Sequence, residues 1–172
     1  ILFASSVQPE GDAMAERLKE IAGRKSEAKV FDDLQYRHWD EWEDGLRSHV
    51  FVLDVASGAT LDVTPGPHDA PPLALGGFQD YAISPDGEEV AFVRNTDVPA
   101  MVGTGNDVWL VSAGGGEPRL LTPSDANDAA PQYSPDGRWI AYLAMSRPGF
   151  EADRAQLVLH DRTTHESRSL TA

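Results

Sequence analysis

The sequence predicts an all-β fold of about three four-stranded antiparallel blades, and two observations carry this prediction. The tetrapeptide Ser-Pro-Asp-Gly occurs at residues 84–87 and again at residues 134–137, with apolar segments before and after each copy. Units of about fifty residues then end in the same residue type, at Thr64, Thr122 and Thr171. A repeat of this length that holds four strands is typical of a β-propeller, so we predict an incomplete propeller.

Each tetrapeptide has the chemistry of a tight hairpin turn. Proline fixes φ at the second position of a type I turn, aspartate suits the third position, and glycine accepts the left-handed conformation that follows. The first copy is followed by Glu-Val-Ala-Phe-Val at 89–93, and the second by Trp-Ile-Ala-Tyr-Leu at 139–143. We therefore predict a β-hairpin at each copy.

Three blades are predicted along the chain, at residues 1–64, 65–122 and 123–172. The second and third contain the hairpin and a further apolar strand, whereas the first repeats only the later half, at 49–64. The opening residues 1–4 have the pattern of a second blade strand, so the first strand of that blade is expected to lie outside this sequence. Because propellers have four to eight blades, we expect the chain to be part of a larger protein.

A helical insertion is predicted inside the first unit, at residues 12–29. Met14, Leu18 and Ile21 recur at helical spacing with charged residues between them, and Asp12 is a suitable N-cap. The insertion belongs to the longest of several loops on one face of the predicted ring, whereas the other face carries tight turns. Long loops on a rigid scaffold usually carry binding residues, and the alternative is that they are tolerated insertions.

Composition narrows the possible functions. Hydrophobic residues make up 41% of the 172 residues, enough for a packed core, and the absence of cysteine excludes disulfides, thiol catalysis and thiolate metal sites. The net charge of −14 argues against a nucleic-acid partner. No apolar run approaches the roughly 20 residues of a membrane span. We expect no nucleic acid, no membrane, no cofactor and no metal to be bound.

Residues 36–45, with the sequence YRHWDEWEDG, are the strongest candidate for a contact surface. The segment places two tryptophans, a tyrosine, an arginine and four acids in ten residues. Because Trp, Tyr and Arg dominate interface energetics, we predict that Arg37, Trp39, Trp42 and Asp44 contact another domain or the substrate path. The alternative is that the same segment packs as core beside a displaced first blade.

The run YRHWDEWEDGLRSHVFVLDV, followed by LDVTPG, resembles the N-terminal propeller of bacterial S9-family serine peptidases, the relatives of prolyl oligopeptidase, dipeptidyl aminopeptidase and acylaminoacyl peptidase. The Ser-Pro-Asp-Gly blades are similar to theirs, and WD40-like or TolB-like propellers share such blades. The resemblance covers nearly the whole chain. It implies a propeller that restricts peptide access to an α/β-hydrolase domain of the same polypeptide. The sequence leaves the compartment of the soluble protein open between the bacterial periplasm and the cytoplasm.

No catalytic residue is predicted within this chain. A nucleophile elbow has the form G-x-S-x-G, which does not occur in the sequence, and the five histidines are scattered. The glycines at 103–105 and 114–116 do not open a helix after a strand, so they are interpreted as loops rather than phosphate sites. Residues 125–128 lack the glycine and the glutamate of a calcium loop.

The sequence therefore predicts a non-catalytic propeller fragment of a serine peptidase. Its expected partners are the α/β-hydrolase domain and, in the full-length protein, peptide substrates. The alternative is a TolB-like propeller that serves as a scaffold for protein partners. The bare strand edges and faces of an incomplete ring also predict self-association of the fragment.

Overall fold

The computed structural model describes residues 1–9, 11–26, 28–31, 36–42, 45–97 and 103–171. Within these ranges the chain forms one helix and thirteen strands. The elements are β1 (Leu2–Val7), α1 (Asp12–Ala22), β2 (Arg37–His38), β3 (Glu41–Trp42), β4 (Arg47–Leu53), β5 (Thr60–Asp62), β6 (Tyr81–Ile83), β7 (Glu89–Asn95), β8 (Asn106–Ser112), β9 (Arg119–Leu120), β10 (Asp128–Tyr133), β11 (Trp139–Ala144), β12 (Gln156–Asp161) and β13 (Ser167–Ser169).

Three antiparallel sheets form the body of the described chain. The first sheet has the order β1-β4-β5, the second β6-β7-β8-β9 and the third β10-β11-β12-β13. Strands β2 and β3 form a separate two-stranded ribbon between β1 and β4 in the sequence. The predicted all-β class, with antiparallel four-stranded units and one helix near the N-terminus, is confirmed. The division of the chain at residues 64 and 122 stays a prediction.

The two Ser-Pro-Asp-Gly turns have the same hydrogen bonds. The Ser84 hydroxyl oxygen accepts from the Glu89 amide at 2.9 Å, and the Gly87 amide donates to the Ser84 carbonyl at 2.9 Å. The second copy, at residues 134–139, repeats both bonds at the same distances. Gly87 and Gly137 have φ of 78° and 70°, the left-handed conformation that glycine adopts without a steric penalty. The hairpins follow from this turn chemistry.

The recurring threonine at the end of each unit has a structural reason. In each of the three large sheets its hydroxyl oxygen accepts a 2.8 Å hydrogen bond from a backbone amide fourteen residues earlier. The pairs are Val50–Thr64, Val108–Thr122 and Leu157–Thr171. The outer strand of each of these sheets is short, and the threonine satisfies an amide of the neighbouring strand beyond the point where their regular pairing ends.

Two apolar layers hold the sheets together. Since alternate side chains of a strand point to opposite faces, β7 contributes Val90 and Phe92 to one layer and Ala91 and Val93 to the other. The first layer lies between the first and second sheets, and the second layer lies between the second and third. The partners are Val50, Val63, Ala70 and Val111 in the first layer, and Val108, Leu110, Ile140, Tyr142 and Val158 in the second.

Polar contacts also join the second sheet to the third. The Glu89 carboxylate accepts from the Tyr133 hydroxyl at 2.9 Å and from the Arg162 guanidinium at 2.9 Å. On β10, the Ala130 amide donates to the Asp80 carboxylate at 2.8 Å and holds Ala130 at a φ of 54°, where the β10–β11 register shifts. Glu89, at the start of β7, therefore connects one repeat with Tyr133 on β10 and with Arg162 directly after β12 of the next.

The helix differs from the prediction at both ends. Gly11, rather than Asp12, occupies the N-cap position, and no side chain caps the helix. The helix ends at Ala22 instead of residue 29, because the Gly23 amide bonds to the carbonyls of Lys19 and Glu20 and closes the last turn. Glycine and serine at 23 and 26 have low helix propensity, which is the physical reason for this early end. In the described part of the chain, none of the helical segments has the length and hydrophobicity to cross a bilayer.

Candidate functional site

The predicted contact segment forms a small two-stranded ribbon. Arg37 pairs with Trp42 and His38 with Glu41 across β2 and β3, and Trp39 at the turn has a φ of 49°. Residues 28–31 lie beside this ribbon, since Phe31 and Lys29 contact Trp42. We call residues 28–31 and 36–42 together the aromatic ribbon.

Three aromatic rings pack together on this ribbon. Phe31 stacks on Trp42 with ring centroids 5.7 Å apart, and Tyr36 lies 5.8 Å from Phe31 and 6.2 Å from Trp42. The Lys29 ammonium lies over the Trp42 ring at 5.6 Å, within reach of a cation–π interaction. Together with Val30 these side chains line an open groove of about 740 Å³.

The structure brings some of the predicted contact residues together. Arg37 and Trp42 are cross-strand neighbours, while Trp39 lies at the ribbon's turn, 83% exposed, with its ring beside His38. Asp44 lies outside the described residues. Trp42 is 49% exposed, so neither tryptophan is part of a core within the described chain.

Four members of the groove were not among the predicted contact residues, namely Lys29, Val30, Phe31 and Tyr36. The predicted helix extended over Lys29, and Phe31 lies two residues beyond its predicted end. The helix instead ends at Ala22, so Lys29 and Phe31 lie outside it and contact the Trp42 ring. The signal in the sequence was Gly23, since a glycine just past a periodic segment indicates a helix end.

The buried histidines have structural partners. His49 lies with Nδ1 2.7 Å from the Asp62 carboxylate and Nε2 3.0 Å from the Gly66 carbonyl, so both ring nitrogens are engaged. His160 Nδ1 lies 3.0 Å from the Ser167 hydroxyl, and burial lowers the pKa of His160. No carboxylate in the described ranges hydrogen-bonds to His160, so this Ser–His contact has no third member to orient the ring.

Two buried carboxylates lie where the chain passes from the second sheet to the third. Burial raises the pKa of Asp107 and of Asp128 to about 6, and the charge of Asp107 adds to the effect on Asp128. Hydrogen bonds from Thr122 and Ser124 partly offset the shift at both sites. In the part of the chain that the structure describes, no three His, Asp or Glu side chains are placed to hold a metal ion.

Comparison with known proteins identifies relatives over most of the chain. No protein-family model matches it. It is 30% identical over 147 residues to dipeptidyl-peptidase 5 of Porphyromonas gingivalis, which covers 81% of this chain and 21% of that protein. It is 31% identical over 183 residues to a probable dipeptidyl-peptidase 5 of Emericella nidulans, which covers 94% and 25%. The chain thus spans about a fifth to a quarter of the length of these relatives.

A solved structure has the same fold. The putative TolB of Agrobacterium tumefaciens superimposes with a TM-score of 0.54 at 20% identity, over 72% of this chain and 40% of that one. The three sheets, which do not close into a ring, are therefore an incomplete propeller, as the repeats predict. The fold and the sequence relatives together show that this chain is part of a β-propeller and is related to the S9-family dipeptidyl peptidases.

Proposed function

We propose that this chain is the non-catalytic propeller part of an S9-type serine peptidase, where it gates peptide access and docks on an α/β-hydrolase domain through the aromatic ribbon. The observation that carries the proposal is the exposed, prestacked group of Phe31, Tyr36 and Trp42 on a chain related to dipeptidyl peptidases. Similarity to TolB supports only the propeller fold. It gives no separate support to the alternative of a TolB-like scaffold for protein partners.

The packing of the ribbon suits a contact surface. Aromatic rings that are already stacked lose little conformational freedom on binding, and each ring buries a large apolar area when a partner covers it. Trp42 and Tyr36 are both 49% exposed, so half of each side chain is still available for burial. Lys29 and Arg37 add positive charge beside the rings, in a chain with a net charge of −14. A partner surface with apolar groups complements the rings, and an acidic group there would pair with Lys29 or Arg37.

The test is Trp42→Ala in the full-length peptidase. We expect kcat/KM for dipeptidyl substrates to fall about tenfold or more, as for an interface hot spot, with an unchanged thermal midpoint. Phe78→Ala is the matched control, because Phe78 is 88% exposed on a loop outside the ribbon. Normal kinetics in Trp42→Ala would contradict the proposal, and a large loss of stability with normal kinetics would instead favour the packing interpretation.

A further inference from the structure

Three buried N–H donors meet between the first and second sheets without an acceptor. They are Nε and Nη2 of Arg94 and Nε1 of Trp109. Arg94 is 8% exposed and lies near the end of β7. Its guanidinium carbon lies 5.0 Å from the Phe92 ring centroid and 5.6 Å from that of Trp109. The aromatic faces therefore hold the guanidinium in place while two of its N–H groups stay unpaired.

An arrangement of this kind is costly unless something else binds to it. A buried polar group without a hydrogen bond is unfavourable, and a buried charge without a hydrogen-bonded partner is more so. Burial lowers the pKa of Arg94, and the charge of Asp62 opposes this shift. Cation–π contact with two rings recovers part of the cost, but it does not replace the in-plane hydrogen bonds of the fork.

The nearby carboxylates are engaged elsewhere. Asp107 lies directly opposite Arg94 in the β7–β8 register, but its carboxylate accepts from the Ser124 amide at 3.0 Å. The Asp62 carboxylate lies 2.7 Å from His49 Nδ1 and accepts from the Thr64 amide at 3.0 Å. Within the described ranges, then, no carboxylate forms an ion pair with Arg94.

We propose that Arg94 and Trp109 form a binding site for a carboxylate. Two N–H groups of one guanidinium fit the two oxygens of a carboxylate, and the indole N–H supplies a third donor. Arg94 lies one residue before the C-terminal end of β7. Burial lowers the pKa of His68, in the segment between β5 and β6, and the positive charge of Arg94 adds to this shift. The carboxylate comes either from a free peptide or from an acidic side chain of the parent protein.

Nuclear magnetic resonance of the labelled 172-residue chain tests this site. Titration with sodium acetate is expected to shift the Trp109 indole and Arg94 Nε–H resonances until they saturate. Sodium chloride at the same ionic strength is the control titration. Arg94→Met should abolish the indole shift, while Arg17→Met, at an exposed helix position, should retain it. Shifts that do not saturate, or that chloride reproduces, would show that these donors do not form a specific carboxylate site and would overturn the proposal.

Thermal unfolding supplies a second readout. Without acetate, Arg94→Met is expected to be as stable as the wild type or more stable, because the removed guanidinium has no partner. With acetate, the midpoint of the wild type should rise and that of the variant should not. If Arg94→Met is less stable than Arg17→Met without acetate, the Arg94 guanidinium has a stabilising partner, and this result would contradict the conclusion that it is unpaired.

Two further comparisons distinguish the sources of the carboxylate. If a peptide supplies it, glycylglycine should shift the Trp109 indole resonance and its C-terminal amide should not. If the parent protein supplies it, that resonance should already be shifted in the full-length protein, and acetate should leave it unchanged.

Discussion

The second and third sheets are built from the same repeat, yet they differ in what covers them. Their turns close with the same hydrogen bonds, and each third strand donates an amide to a threonine. The second sheet lies between two neighbours, and six of the seven β7 residues are buried. The third sheet packs on one face, and on its other face Leu143 and Leu157 are 40% and 36% exposed. Position in the stack, more than local sequence, sets how much each repeat contributes to stability.

A leucine pair gives the largest expected difference between the two sheets. Leu110 pairs with Ala91 and Leu159 with Ala141, so they occupy equivalent positions. Leu110 is buried against the third sheet, whereas Leu159 faces outward and is half-buried. We expect Leu110→Ala to cost about 2–5 kcal/mol of unfolding free energy, and Leu159→Ala no more than about 1 kcal/mol. Urea denaturation of the 172-residue chain measures both, and equal losses would contradict the comparison.

The junction between the two sheets should show a pH dependence of its own. Because the pKa of Asp128 is raised from 3.8 to about 6, the folded state holds this proton more tightly, and ionisation costs stability as the pH rises from 4 to 6. Asp128→Asn removes that cost. Relative to the wild type, the variant should gain roughly 1–3 kcal/mol between pH 4 and pH 7.5.

Exposed Asp125, in the same connection, is the control for this experiment. Denaturant titrations of wild type, Asp125→Asn and Asp128→Asn across the pH range measure the difference. A difference between Asp128→Asn and wild type that does not change with pH would refute the raised pKa.

The threonine bonds test the same comparison with a smaller effect. Thr122 is buried, so Thr122→Val leaves the Val108 amide without a partner and should cost about 1–3 kcal/mol. Thr171 makes the same 2.8 Å bond to Leu157 in an exposed position. Water can replace that hydroxyl, so Thr171→Val should cost about 0.5 kcal/mol or less. The two variants are compared by urea denaturation, and similar losses would argue against the role of burial.

The glycines of the two turns should behave alike, in contrast to the leucines and threonines. Gly87 and Gly137 have positive φ, and an added Cβ would meet no atom closer than 3.7 Å at either position. Alanine should therefore cost about 1 kcal/mol at both positions through backbone strain alone. Gly114→Ala is the control, because Gly114 is not among the positive-φ glycines and a Cβ there meets only ordinary contact. Unequal losses at 87 and 137 would show that stacking also affects the turns.

The features that could be predicted from the sequence depend on short-range chemistry. The hairpins follow from four adjacent residues, and the threonine bonds recur at one spacing. The links between sheets could not be predicted, because they join residues that only stacking brings together. Arg162 reaches Glu89 across 73 positions, and Arg94 faces an aromatic pair rather than the aspartate opposite it.

The candidate site was predictable to a similar extent. Composition alone pointed to Arg37, Trp39 and Trp42, since aromatic and arginine residues are dense in one short segment. Phe31 and Lys29 were missed because the apolar periodicity was extended past Gly23. Their part in the groove depends on where the chain turns after the helix, which hydrophobic spacing does not specify.

Native-state hydrogen exchange of the 172-residue chain tests the central comparison most directly. Amides of β7 and β8 should exchange only through global unfolding, because both faces of their sheet are covered. Amides of β11 and β12 should open with a free energy lower by about 1 kcal/mol or more, since one face of their sheet is bare. Equal protection in the two sheets, or stronger protection in the third, would contradict the conclusion that position in the stack sets the stability of each repeat.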